Sequence, residues 1–376
     1  MRVPAWISCM VSSCLRPWKP HTNISSDDED DPSTSTTSTL VQWRRDLLRH
    51  SHGEFSYAVV QGNVEIEDHS QVEIGSKGIF VGVYDGHGGA TCSHFLKTRL
   101  FPIVINSARD HGTISDDTLR ESVCAVESAF MENIGVGTPA VQMCNTRVGS
   151  CCLAAVIWEG VLHIANLGDS RAVVGTLGRC RSITAVQLTT DHNCCREEIR
   201  QELQAAHPTD PEIVVIDRGA WRVKGFIQVS RTIGDAHLKI PGLLRSPLTV
   251  PVLSAEPSVT SRTLSSNDKF LIFASDGLWD LLTNQHAAEI VHLNPRRGIA
   301  RKLIKAALKA AARRAKVEYS TLMEVPAEGR RMIHDDITVV VVFLDGTSHH
   351  HVTELSVRGF EEAAGPSNFR SVRNFG

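Results

Sequence analysis

The chain has 376 residues, enough for one large domain or two medium ones, with the apolar and charged fractions of an ordinary soluble globular protein. Its net charge of −3 provides no global basic field, so nucleic acid is not an expected partner, and no apolar run approaches the ~20 residues that span a bilayer. The ten cysteines are scattered apart from Cys151-Cys152 and Cys194-Cys195, with no Cys-x-x-Cys pair or zinc spacing, so free thiols in a reducing, intracellular compartment are expected.

Residues 1–20 combine Trp6, Ile7, Met10, Val11, Leu15 and Trp18 with Arg2, Arg16 and Lys19, and Pro4 interrupts them. Such a stretch fits a weak signal sequence, an interfacial anchor or a segment acylated at Cys9 or Cys14, and it fits a disordered leader equally well. An acidic run at 27–31 and a Ser/Thr tract at 33–38 are low in complexity. Residues 1–50 are therefore expected to form a disordered leader, and order is expected to open with the strand at Phe55. A second strand is expected at 71–74. The unbroken apolar run 79–84 reads as a strand buried on both faces, since a half-solvated strand alternates. It ends in Asp85, and Gly86-His87-Gly88-Gly89 turns the chain sharply.

Helical spacing follows at 90–104 and 118–133, the second with Asp116 or Asp117 as cap. Residues 149–158 read as a buried strand. Residues 161–167 and 171–175 read as a hairpin with Asp169 at its tip. A short helix at 196–206 stops before Pro208, and a strand is expected at 224–229. Another buried strand, 269–274, leads into Ser275-Asp276. A basic amphipathic helix covers 296–316, with a stripe of Ile299, Leu303, Ile304, Ala307, Leu308 and Ala311. The last apolar strand, 337–344, follows His334-Asp335-Asp336. From Gly346 the composition turns polar, and residues 347–376 are expected to be a disordered tail. Irregular alternation of helices and strands predicts layered α+β architecture, with helices outside largely antiparallel sheets.

One design recurs, an acid at the mouth of an apolar strand: Asp85, Asp169, Asp276 and Asp335, with Glu67 and Asp68 between two short strands. Carboxylates that converge on one place repel unless cations separate them. A ligand set of carboxylates plus the Gly86 carbonyl, without paired His or Cys, indicates Mg²⁺ or Mn²⁺ and not zinc. Two such ions can acidify one shared water and clamp a phosphoryl group. Each acid taken singly also fits a turn residue or a surface charge.

Five ordered motifs carry a resemblance: Val83-Tyr-Asp-Gly-His-Gly-Gly, Gly168-Asp-Ser-Arg-Ala, Ser230-Arg-x-x-Gly-Asp, Ala274-Ser-Asp-Gly-Leu-Trp-Asp and Asp335-Asp-Ile-Thr-Val. Together they resemble the motifs of the metal-dependent Ser/Thr protein phosphatases, the type 2C family, and the wording is most similar to its plant clade D. The resemblance implies an αββα sandwich of two packed antiparallel β-sheets flanked by helices, with the catalytic domain over 51–346. It implies hydrolysis of phosphoserine or phosphothreonine in proteins by a hydroxide bridging two Mg²⁺ or Mn²⁺ ions, with a weaker third ion. Asp85 would bridge both metals, the Gly86 carbonyl would bind one, and Asp276 and Asp335 would complete the ligands. Glu67 and Asp68 would hold metal-bound waters, Asp169 would serve the third ion, and His87 would protonate the leaving oxygen. Asp235 and Ser230-Arg231 would order the cleft.

The same resemblance implies phosphoprotein substrates, small auxin-induced inhibitor proteins as possible partners, and a monomer. The expected location is cytoplasmic or nuclear, with the leader as a candidate for peripheral plasma-membrane association. This chain departs from the family at three places. Asn63 stands where many members carry an arginine that grips the substrate phosphate, Asp335-Asp336 replaces the common Asp-Asn, and the segment 239–251 is short. Loss of that arginine leaves open a pseudophosphatase that holds phosphoproteins without turnover, and hydrolysis of another phosphate ester also fits the motifs.

Overall fold

The computed structural model describes residues 42–134, 145–243, 250–345, 352–361, 364–367 and 369. Two antiparallel sheets pack face to face. The six-stranded sheet runs, in spatial order, Gln42–His50, Gly53–Val60, Ile337–Phe343, Asp268–Ala274, Arg171–Leu177 and Ile183–Gln187. The seven-stranded sheet runs Ser258–Thr263, Val161–Leu167, Cys152–Trp158, Gly78–Tyr84, His69–Ile74, Leu355–Arg358 and Gly365–Pro366.

The continuous apolar strands follow from this layering. In Ile337–Phe343, Val340 and Val342 enter the core between the sheets, while Val339 and Val341 face the helices outside. In Gly78–Tyr84, Ile79, Val81 and Val83 point inward, and Phe80 and Tyr84 pack under the other helices. With period-two alternation and both faces covered, these strands are filled by apolar residues, apart from Thr338, whose buried hydroxyl donates to Asp68. The helix Ile299–Ala315 buries the expected stripe, Leu303, Ile304, Ala307, Leu308 and Ala311, on the six-stranded sheet. Each leucine or isoleucine so buried contributes roughly 1.5–3 kcal/mol. Thr91–His111 and Asp116–Ile134 cover the seven-stranded sheet. The second of these is capped by Ser115, whose Oγ accepts from Thr118 N at 3.3 Å, and not by Asp116 or Asp117. The architecture is the expected αββα sandwich.

Four local expectations are corrected. Residues 42–50, expected in the disordered leader, form a strand, because Gln42–His50 pairs along the whole of Gly53–Val60. Asp46 on this strand accepts from Ser56 Oγ at 2.6 Å and from Gly298 N at 3.1 Å, where the helix Ile299–Ala315 begins. The tail is not wholly disordered. Leu355–Arg358 extends the seven-stranded sheet beside His69–Ile74, and Phe369 packs against Phe101 with ring centroids 4.9 Å apart. Four residues are too few to show a strand period, so this element carried no signal. Residues 161–167 and 171–175 form no hairpin: the first pairs with Cys152–Trp158, the second with Asp268–Ala274. The chain therefore crosses from one sheet to the other at Gly168-Asp169-Ser170. Finally, residues 224–229 hold only isolated bridges, and the strand lies earlier, at Ala220–Val223 against Val214–Asp217.

Residues 1–20, the acidic run and the Ser/Thr tract lie outside the described residues, as does the centre of the short 239–251 segment. Among the described residues, no helix is long and apolar enough to cross a membrane.

Candidate active site

The strands deliver their terminal acids to one end of the sandwich. Glu67, Asp85, Gly86, His87, Asp169, Asp276 and Asp335 line a single cleft of about 360 Å³. Asp85 leaves the strand Gly78–Tyr84, and its carbonyl accepts from Cys151 N at 2.8 Å and Ser150 Oγ at 3.1 Å. Gly86–His87 then pairs with Gly149–Ser150, which pairs in turn with Ile233–Gly234. This three-stranded clip sets His87 at the rim. Asp276 opens a short helix at the end of Asp268–Ala274. Asp335 precedes Ile337–Phe343, the strand paired directly with Asp268–Ala274, at the same end of the sheet.

Glycine lets these segments close. A Cβ at Gly277 would strike the carbonyl of Asp336, and one at Gly62 would strike the backbone of Asp335. Asp336 then knits the loop that carries Glu67 and Asp68. Its Oδ1 accepts from Gly62 N at 2.7 Å and Asn63 N at 2.9 Å, and its Oδ2 accepts from Glu67 N at 2.7 Å and Asp68 N at 3.2 Å. Of the two adjacent acids, Asp335 therefore faces the cleft and Asp336 faces the backbone. Asp68 lies buried beneath, its Oδ2 accepting from Ser275 Oγ at 2.8 Å and Thr338 Oγ1 at 2.7 Å. Glu67 Oε1 accepts from Gly89 N at 2.6 Å, tying the loop to the turn after His87.

Burial and mutual repulsion set the electrostatics of this cluster. Burial first, then the charge of Asp276, pushes the Asp85 carboxyl well above its ordinary range. Burial and Asp169 do the same to Asp276, and burial and Asp336 to Asp68. Asp335 is raised to about 6, chiefly by burial, against the pull of Arg331. Burial also raises Asp169, opposed by the Nδ2 of Asn193 at 2.6 Å and by the Cys151 thiol at 3.4 Å. Such mutual repulsion is relieved by a divalent cation, and the donors are hard oxygens of the kind Mg²⁺ and Mn²⁺ take. The soft exception is Cys151, whose Sγ lies with carboxylate oxygens of Asp85 and Asp169 in a group no more than 4.8 Å across.

His87 pairs most closely with an acid from another segment, Asp235. Its Nε2 lies 2.7 Å from Asp235 Oδ2, with the His87 side chain 29% exposed and that of Asp235 2%. Burial disfavours the imidazolium, but the Asp235 charge and hydrogen bond outweigh it and raise the pKa. Asp235 is held in the left-handed region at φ 51°, and its N donates to the Val148 carbonyl at 2.9 Å. Arg231 is drawn away to Glu202 at 2.9 Å and the Glu256 carbonyl at 3.2 Å. Sequence reasoning passed over Cys151, Arg147, Arg222 and Arg331, which also line or adjoin this cleft. Of these only Arg331, four residues before Asp335, adjoins a motif; the others carry no local signal.

Comparison with known proteins agrees with this geometry. A family model for protein phosphatase 2C matches residues 56–316. The chain is 49% identical to a probable protein phosphatase 2C of Oryza sativa subsp. japonica, over 96% of this chain and 97% of that one. It is 47% identical to a probable protein phosphatase 2C of Arabidopsis thaliana, over 97% and 98%. Among solved structures, a serine-threonine phosphatase 2C from Toxoplasma gondii superposes at TM-score 0.56 and 17% identity, over 81% of this chain and 99% of that one, a likeness of fold alone. The chain belongs to the protein phosphatase 2C family, the metal-dependent phosphatases that remove phosphate from serine and threonine in proteins.

Proposed function

We propose that the cleft hydrolyses phosphoserine and phosphothreonine with Asp85, the Gly86 carbonyl, Asp276 and Asp335 holding two Mg²⁺ or Mn²⁺ ions. Asp169 serves a weaker third ion. The observation that carries this reading is the convergence of those carboxylates on one cleft, each with its pKa pushed up by burial and by its neighbours. Bound there, the ions would acidify a water and neutralise the phosphoryl oxygens. Glu67 and Asp68 fix the floor of the site through Gly89, Ser275 and Thr338, and would hold metal-bound waters there.

His87 supplies the proton that the departing serine or threonine oxygen needs. Asp235 takes Nε2, holds the ring in place and favours its protonated form, while Nδ1 has no hydrogen-bond partner among the described residues. That nitrogen is the donor free for the leaving group, and general acid catalysis of this kind contributes typically ~10²–10⁴-fold. Turnover of a phosphothreonine peptide with and without Mn²⁺, by wild type and Asp85→Asn, tests the assignment. Turnover is expected only for wild type with metal. Undiminished turnover in chelator, or by Asp85→Asn, would refute it.

A further inference from the structure

The carboxylates that suit divalent cations repel the ligand on which they act. A phosphomonoester carries about −1.5 to −2 charge at neutral pH, and it must approach Asp85, Asp169, Asp276 and Asp335 together. A guanidinium on the wall is the matching group, because its planar fork binds two phosphate oxygens at once. Among the described residues, three arginines line the cleft: Arg147, Arg222 and Arg331. Arg222 commits one nitrogen to its own loop, its Nη1 donating to the Phe226 carbonyl at 3.0 Å, and its buried Nε has no partner among the described residues. Arg147 belongs to the opposite wall, its backbone against Gly88 beside His87.

Arg331 stands over Asp335, Nη2 to Oδ2 at 2.6 Å, and its side chain remains 58% exposed. The ion pair fixes one corner of the fork and leaves the rest open to the cleft. Asn63 reaches the other oxygen of the same carboxylate, Nδ2 to Oδ1 at 3.1 Å. The Asn63 amide and the Arg331 guanidinium are thus separated by one carboxylate group. A long side chain at position 63 and the actual side chain of Arg331 would serve the same corner of the cleft. Position 63 holds a short neutral amide, so the charge at this corner comes from Arg331.

We propose that Arg331 grips the substrate phosphoryl group in this protein, binding its oxygens from the Asp335 side while the Asp335 contact holds the fork in place. This assignment rests on the phosphatase reading above. The test compares wild type, Arg331→Ala, Arg331→Lys, Arg147→Ala and the double variant Asn63→Arg/Arg331→Ala at saturating Mn²⁺. Three quantities are read: KM for a phosphothreonine peptide, the Kd of inorganic phosphate by calorimetry, and the Kd of Mn²⁺. Arg331→Ala is expected to raise the peptide KM and the phosphate Kd about tenfold to a hundredfold, as for loss of a charged hydrogen-bond pair. Lysine should restore only part of this, being a point charge without the fork. Arginine at 63 should restore most of it, and Arg147→Ala should change the phosphate Kd by less than about threefold. An unchanged phosphate Kd in Arg331→Ala overturns the proposal. So does weakened Mn²⁺ binding with normal phosphate binding, which would make Arg331 only a support for Asp335. A larger effect at Arg147 than at Arg331 also overturns it. If wild type binds phosphate but turns over no peptide, the phosphatase reading fails while the Arg331 assignment is still judged by phosphate affinity.

Discussion

Replacing Asp335 by asparagine should end turnover and yet stabilise the metal-free protein. Burial is the main reason its carboxyl rises from the usual 3.8 to about 6; Arg331 opposes the shift and Asp336 adds to it. At about 1.4 kcal/mol per pKa unit, keeping this group ionised costs the fold roughly 3 kcal/mol. The repulsion is shared with Asp68, Asp85 and Asp276, and the variant also gives up the Arg331 ion pair, so a net gain of about 1–2 kcal/mol is expected. For a domain of this size that is a rise in Tm on the order of 2–6 °C. The pH dependence fixes the sign. The unfolded carboxyl ionises near 3.8 and the folded one near 6, so wild type carries the full penalty above pH 6. As pH falls through that window the folded group takes up its proton first, and the penalty disappears. The advantage of Asp335→Asn should therefore be complete above pH 6 and vanish below 3.8. Thermal melts in EDTA across that range are the assay, repeated with Mn²⁺, which should raise the wild-type Tm more because it binds the native site. A variant less stable than wild type at neutral pH in EDTA, or an advantage that ignores pH, would refute the reasoning.

Other expectations follow from the same structure. Chelation should abolish phosphopeptide turnover, and added Mg²⁺ or Mn²⁺ should restore it; full activity after metal stripping would rule out the carboxylate site. His87→Gln should slow phosphopeptide hydrolysis by ~10²–10⁴-fold but spare p-nitrophenyl phosphate, whose leaving group needs little help, with Mn²⁺ affinity unchanged. Equal losses on both substrates would sink the general-acid role. Deleting residues 1–41 should leave kcat on a soluble peptide unaltered, whereas deleting 1–50 removes Asp46 from Ser56 and Gly298 and should lower Tm; equal Tm values would show that the first strand contributes nothing. Ending the chain at Asp345 strips buried Glu73 of Ser356 Oγ at 2.7 Å and Ser367 Oγ at 2.8 Å. Each lost donor should cost ~1–3 kcal/mol in guanidinium titrations, and an unchanged midpoint would contradict this.

Much of the fold is written locally. The strands 79–84, 269–274 and 337–344 are legible because almost every side chain on them, Lys269 and Thr338 apart, meets a packed apolar layer. The helix Ile299–Ala315 is legible from the stripe it buries. Those two signals place Asp85, Asp276 and Asp335 at strand mouths, and residue chemistry alone proposes hard cations. Period and propensity end there, because they describe a residue's neighbours in the chain and not its neighbours in space.

Only the tertiary structure decides which strand joins which sheet, and so turns the expected hairpin around Asp169 into a crossing between sheets. It separates Asp335 from Asp336, two acids with the same local sequence, by giving one the cleft and the other four backbone N–H groups. It also brings Asp235 to His87 across 148 positions of chain, and sets Arg331 across one carboxylate from Asn63. Strand ends are determined by sequence because burial is a local demand. Pairings of charge are decided by the fold, because Coulomb and hydrogen-bond forces act over a few ångströms of space whatever the distance along the chain.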